Sequence, residues 1–314
     1  MPIRVPKDLP AIKILEQEHI LVMDENRAFH QDIRPLRILI LNIMPKKSET
    51  ETQLIRLLSN TPLQLYIDLL QMSSHDSKHT SVEYLERFYK SFDDIKENYY
   101  DGLIITGAPV EQLPFEEVDY WSELCEVMEW SKAHVFSTVH ICWGAQAALY
   151  YHYGIPKYSL TTKLSGVFEH QKCDDNERIF HGFDDQFKVP HSRYTYTKKA
   201  DILQHKQLKL LSTSEEAGVF LVKHTTDRQY FLTGHLEYGR MTLANEYQRD
   251  LKKKDEPTVP EHYFVKNQLD SRPPFLWKSA ASLFFSNWLN HIVYPDTPFE
   301  LTKLEKLQLE EGDF

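Results

Sequence analysis

The sequence predicts an open parallel α/β sheet covered by helices on both faces, and three observations point to it. Two apolar runs rich in branched residues, 37–43 and 102–106, lack the alternation of a half-solvated strand and have the pattern of strands buried on both sides. Segments with apolar residues at helical spacing lie between and after them, so strand and helix alternate as βαβαβ. There is no internal repeat, low-complexity tract or Gly/Ser linker, and 10 glycines in 314 residues leave no long flexible hinge.

Taken in order, residues 1–36 are broken by charges and prolines and read as an N-terminal arm packing on the core. Strand 37–43 follows, then a helix announced by Ser48-Glu-Thr-Glu51 as a capping box, with Leu54, Leu57 and Leu58 on one face. Residues 63–69 alternate as a strand, 81–92 read as helix, and 102–106 form a strand ending at Gly107. A helix over 116–132, a strand over 134–139 and an Ala-rich helix over 143–153 complete the first half. The second half is more mixed, with short strands at 208–212, 218–222 and 229–234 and a charged helix over about 238–253. A proline-rich loop spans 255–274, a terminal apolar helix spans 277–293, and 299–314 form a charged tail. The α/β domain is thus expected over 37–298.

Composition removes several classes of function. Thirty-six Lys and Arg against 46 Asp and Glu give a net charge of −10, and the basic runs are as short as Lys252-Lys253-Lys254, so no nucleic-acid partner is expected. No apolar run approaches the ~20 residues that cross a bilayer, and the N-terminus lacks the pattern of a secretory signal, so no membrane association and a cytoplasmic location are expected. Cys125, Cys142 and Cys173 form no CxxC and suit a reducing compartment.

The sharpest chemical feature is Thr138-Val-His-Ile-Cys142-Trp-Gly-Ala-Gln-Ala-Ala148, a strand turning straight into a helix with a cysteine on the corner. A thiol there feels the positive end of the helix dipole, which favours the nucleophilic thiolate. The amide of Trp143 would face an oxyanion formed by attack on a carbonyl, and Gly144 keeps the turn tight. The matching base is His235 in Gly234-His-Leu-Glu237, where i and i+2 share a face of extended chain and the carboxylate can orient the imidazole. Cys142, His235 and Glu237 thus form a candidate triad. His75 with His79, or His134 with His140, could gather a metal, but no HExxH, zinc-spaced quartet or phosphate-binding glycine loop supports one, and no metal or cofactor is expected.

These residues resemble a known family. The elbow, His235-x-Glu237 and Ile105-Thr-Gly-Ala-Pro109 resemble the class I glutamine amidotransferase fold, a flavodoxin-like sheet. More closely, Asn42-Ile-Met-Pro-Lys-Lys47, Thr106-Gly-Ala-Pro-Val-Glu111, Cys142-Trp-Gly-Ala-Gln-Ala and His235-Leu-Glu-Tyr are similar to the homoserine O-acyltransferases of methionine biosynthesis, over nearly the whole chain. His140 stands where amidotransferases usually have glycine and Leu236 where their triad commonly has proline, which weakens a glutaminase assignment.

The resemblance implies double displacement: Cys142 takes an acyl group from acyl-CoA as a thioester and passes it to the hydroxyl of L-homoserine, with His235 as base and Glu237 holding it. It implies an oxyanion site from backbone amides of Gly107, Ala108 and Trp143, and substrate contacts at Lys163, Ser192 and Arg249. Of these, the Arg249 guanidinium is the natural bidentate partner of an amino-acid carboxylate. The resemblance also makes Glu111, with Ser192, the donor discriminator, glutamate going with acetyl and a small residue with succinyl. A succinyl carboxylate ~4 Å from Glu111 would be repelled by about 4 kcal/mol at an effective dielectric of ~20. Acetyl-CoA and L-homoserine are therefore the expected substrates. The alternatives are succinyl-CoA as donor, a glutamine amidohydrolase of the same fold, and a non-catalytic binding module. The apolar terminal helix and the N-terminal arm suggest a homodimer surface.

Overall fold

The computed structural model of the chain describes residues 3–5, 22–24, 34–74, 80–253 and 257–304. Two short strands, β1 (Ile3–Val5) and β2 (Val22–Asp24), pair in parallel. Most of the arm 1–36, His75, His79 and the tail from 305 on lie outside the described residues.

The ten other strands form one sheet. Its first half holds β3 (Leu36–Leu41), β4 (Leu65–Leu70), β5 (Tyr89–Lys90), β6 (Tyr100–Ile105), β7 (Val135–Ile141) and β12 (Gln229–Leu232), paired in parallel in the order β5-β4-β3-β6-β7-β12. The second half is antiparallel: β11 (Gly218–His224), β10 (Leu208–Ser214), β8 (Tyr158–Lys172) and β9 (Gln186–Tyr196) continue from β12 in that order.

The central strands are buried on both faces, as the branched runs require. Leu36, Ile38 and Ile40 of β3 face one core with α1 (Lys47–Leu58) and the terminal helix α8 (Lys278–Asn287), while Leu39 and Leu41 face a second core with α4 (Trp121–His134) and α5 (Trp143–Tyr153). Between these helices in sequence stand α2 (Val82–Phe88), α3 (Phe92–Ile95), α6 (Lys199–Leu203) and α7 (Thr242–Lys252).

Several local expectations change. Ser48 does not cap α1: the helix starts at Lys47 with Lys46 as its unbonded cap, because Glu51 is taken by the Tyr84 and Tyr89 hydroxyls. The helix expected over 81–92 stops at Phe88, where Tyr89 turns extended and pairs with β4. The helix expected from 116 begins at Trp121 after a 3-10 turn at Phe115–Glu117, and the one expected from 238 begins at Thr242, because Tyr238 is drawn toward His235. The terminal helix passes into a π-helical turn over Trp288–Val293. Its apolar face does not form a free dimer surface: Phe284, Phe285, Trp288, Leu289 and Ile292 are within the first core.

The long hairpin β8–β9 went unforeseen. Its strands carry buried polar residues, His170, His191, Arg193 and Thr195, where an apolar stripe would normally announce a strand. Pro190 also reads against a strand, yet β9 is the edge of the sheet, where a missing N–H is tolerated.

Candidate active site

β7 ends at Ile141 and α5 begins at Trp143, so Cys142 alone makes the corner. Its φ of 52° and ψ of −116° are unusual for a residue with a side chain, the kind of backbone strain that accompanies a nucleophile held outward on an elbow. Two bonds clamp it: its N–H donates to Leu232 O at 2.6 Å and its carbonyl accepts from Gln146 N at 3.1 Å. The corner sits against the end of β6. A Cβ on Gly144 would lie 2.6 Å from Thr106 O, and one on Gly107 would lie 3.2 Å from Cys142 Cβ and 3.8 Å from its Sγ. The amides of Gly107, Ala108 and Trp143 donate to no backbone acceptor outside regular helix or strand bonding among the described residues.

The loop after β12 carries the candidate base. His235 N–H donates to Pro190 O at 2.8 Å, its ring feels the charge of the Cys142 side chain, and its Nδ1 meets Glu237 Oε1 at 2.6 Å. Burial works against the imidazolium, but the charges of Cys142 and Glu237 and the hydrogen bond to Glu237 hold His235 well above the ordinary histidine range. Cys142, His235 and Glu237, 95 residues apart at the extremes of sequence, thus come together.

The three substrate residues implied by resemblance also converge, through carboxylates of α7 that sequence reasoning missed. Ser192 on β9 donates to Glu246 Oε2 at 2.6 Å. Lys163 on β8 lies 2.9 Å from Asp250 Oδ2 and 4.0 Å from Glu246 Oε2. Arg249 donates through Nε to Asp250 Oδ1 at 2.8 Å. Burial pushes the Asp250 carboxyl up, yet Arg249 and Lys163 outweigh it and hold the group below its usual range. Tyr238 joins cluster to triad: its ring stacks on His235 with centroids 4.0 Å apart, and its hydroxyl donates to Glu246 Oε1 at 2.8 Å. The i, i+3, i+4 spacing of Glu246, Arg249 and Asp250 was the available sequence signal, since it places all three on one helix face.

Beyond the ends of β3 and β6 lies a cavity of about 450 Å³ lined among others by Met44, Lys47, Met72, Pro109, Val110 and Tyr120. Tyr120 packs edge-on against Trp143 at 6.0 Å, next to the corner. Lys47 donates to Asn42 O at 2.5 Å, and burial, opposed by Glu51, pushes it down to about 8. Glu111 is half-buried in the loop between Gly107 and Leu113, and the charge across from it is Lys157, which burial pushes down to about 8 against the pull of Glu111 and Glu116.

Among the described residues, His134 and His140 do not come together as a metal site. His140 is fully buried and stacked on Phe231 at 5.1 Å, and burial drives it well below the ordinary range. His134 stacks instead between Tyr99 and Trp130. Cys125 is raised to about 11 by burial and neighbouring glutamates.

Comparison with known proteins agrees with the fold. A glutamine amidotransferase of Thermotoga maritima superposes with a TM-score of 0.54 over 82% of this chain and 98% of its own at 15% identity. One from Methylobacillus flagellatus gives 0.51 over 83% and 96% at 11% identity. At the level of sequence, the homoserine O-acetyltransferase of Methanomassiliicoccus intestinalis is 57% identical over 97% of this chain and 99% of its own length. That of Clostridium botulinum (strain Alaska E43 / Type E3) is 54% identical over 98% and 100%, and that of Streptococcus gordonii 56% over 96% and 96%. The family model described as homoserine O-succinyltransferase matches residues 2–299. With a match of that length and relatives of that identity, the chain belongs to the homoserine O-acyltransferase family.

Proposed function

We propose that the protein transfers an acetyl group from acetyl-CoA to the side-chain hydroxyl of L-homoserine through an acyl-thioester on Cys142. The observation that carries this is the convergence of Cys142, on a strained elbow, with the bonded pair His235–Glu237, and relatives at 54–57% identity named homoserine O-acetyltransferases support the choice of substrates. The Cys142 thiolate attacks the thioester carbonyl, and the oxyanion is met by amides of Gly107, Ala108 and Trp143. Collapse forms the enzyme thioester and expels CoA sulfur, which takes the His235 proton. His235 then accepts the proton of the homoserine hydroxyl as its oxygen attacks the enzyme thioester, giving O-acetyl-L-homoserine and restoring the thiolate. Glu237 holds the imidazole throughout.

The two substrates have separate sites. An amino-acid zwitterion needs an anion and a cation, and the cluster of Ser192, Lys163, Arg249, Glu246 and Asp250 offers both. The apolar cavity on the β3–β6 side suits the pantetheine arm of the donor.

Intact-mass measurement tests the reaction. Acetyl-CoA is expected to leave one acetyl adduct on Cys142 that a homoserine chase removes, with no adduct on Cys142→Ala. Labelling by succinyl-CoA alone would reassign the donor, and release of ammonia from glutamine without acylation would overturn the proposal.

Donor choice yields a second expected result. With Lys157 sharing the charge of Glu111, replacing Glu111→Gly is expected to raise kcat/KM for succinyl-CoA about a hundredfold, less than an unshielded carboxylate pair would give. An unchanged preference for acetyl-CoA would remove Glu111 from the acyl pocket.

A further inference from the structure

Tyr238 stands between two parts of the site that the reaction above uses separately. On one side its ring lies nearly parallel to the His235 imidazole, with centroids 4.0 Å apart and planes 19° apart. On the other its hydroxyl donates to Glu246 Oε1 at 2.8 Å. One side chain therefore touches both the base and the carboxylate cluster of α7.

The tyrosine is itself held from behind. It is 4% exposed and belongs to the first core, beside Leu236 and Trp277. Its carbonyl accepts from Trp277 Nε1 at 2.8 Å and its N–H donates to His235 O at 3.4 Å, so the backbone is fixed as well as the ring. In a close-packed interior the ring has no space into which to swing. Burial, backed by the charges of Glu246, Glu237 and Cys142, keeps the phenol well above its ordinary range, and the hydroxyl stays a donor to the carboxylate.

Both neighbours gain a fixed orientation. The bond from Nδ1 to Glu237 Oε1 holds one edge of the imidazole, which leaves the ring free to tilt about that edge unless a flat face opposes it. Edge and face together decide where Nε2 points, and Nε2 is the nitrogen that takes the homoserine proton in the proposed reaction. Glu246 is held just as closely: Oε1 accepts from Tyr238, while Oε2 accepts from Ser192 Oγ at 2.6 Å and lies 4.0 Å from Lys163 Nζ. A carboxylate fixed at both oxygens offers the substrate ammonium one position rather than several. The tyrosine ring thus sets the spacing between the group suited to the ammonium and the group suited to the hydroxyl of one amino acid.

We propose that Tyr238 is a positioning residue that couples homoserine binding to the orientation of the base, its ring holding the His235 imidazole and its hydroxyl holding Glu246. A homoserine whose ammonium is seated at Glu246 then presents its hydroxyl to Nε2. This deepens the acyl-transfer proposal and rests on it.

Two substitutions separate the two contacts. Tyr238→Phe keeps the ring and removes the hydroxyl, and it is expected to raise KM for homoserine about tenfold while lowering kcat by less than about threefold, since the loss is one hydrogen bond to a charged group. Tyr238→Leu also removes the flat face, and kcat is expected to fall about a hundredfold as the imidazole loses its alignment. Phenylalanine then restores kcat but not KM, a split that a purely packing role would not produce. In a Glu246→Gln background Tyr238→Phe is expected to add less than about threefold to KM, because the two residues act through one contact. An unchanged KM in Tyr238→Phe, or full additivity with Glu246→Gln, overturns the tie to Glu246, and a native kcat in Tyr238→Leu overturns the tie to His235. Should Tyr238→Leu fail to fold, the phenylalanine variant decides alone: the tenfold rise in KM supports the role and a native KM overturns it. Calorimetric binding of homoserine without a donor keeps the two proposals apart. A native protein that binds homoserine but takes no acetyl from acetyl-CoA would overturn the acyl-transfer proposal, and weaker homoserine binding by Tyr238→Phe would still uphold the contact with Glu246.

Discussion

Cys142→Ala and His235→Asn are each expected to lower kcat/KM for homoserine acetylation by about ten thousandfold, and the double variant to be little worse than either alone. His235 feels the charge of Cys142 and is bonded to Glu237. Residues that act as one unit lose their joint contribution at the first deletion. The measurement is homoserine-dependent release of CoA thiol by purified variants, with homoserine binding followed separately to show that the Glu246–Asp250 cluster is intact. Losses that multiply in the double variant would mean that sulfur and imidazole work in separate steps through different partners. Full activity in His235→Asn would remove His235 as the base.

The second large effect comes from a residue with no side chain. A methyl group on Gly144 would sit 2.6 Å from Thr106 O and 3.1 Å from Ile105 O, both backbone atoms that have no rotamer to yield. Gly144→Ala must therefore push α5 and the end of β6 apart, at a cost of about 2–3 kcal/mol in stability. The same displacement moves Cys142 relative to Gly107, which now pack closely, and a shift near 1 Å costs about a hundredfold in rate. Urea unfolding with the midpoint lowered and the slope unchanged, together with slowed acetylation of Cys142, is the expected pair of results. A stable and fully active Gly144→Ala protein would show that the elbow does not depend on this close approach.

The parallel half of the sheet was legible because its central strands are buried on both faces and its helices carry apolar stripes; local pattern and tertiary position agree there. The elbow was legible for a related reason: strand, cysteine, glycine and Ala-rich helix are contiguous, so geometry follows from sequence order. The triad was half legible. His235-x-Glu237 puts two side chains on one face, but the approach of that loop to Cys142 depends on β12 pairing with β7 in parallel register, Leu232 opposite Ile141.

Sequence by itself determined the layered sheet and the corner at Cys142, since each follows from residues near one another in the chain. Tertiary structure alone decided the rest. The β8–β9 hairpin carries its polar residues inward, so no apolar period marks it, and it brings Lys163, Ser192 and Thr195 from one edge of the sheet to the carboxylates of α7 and the elbow of α5. Buried polar groups are stable only where distant partners satisfy them, and such partners are set by packing across the fold rather than by spacing along it.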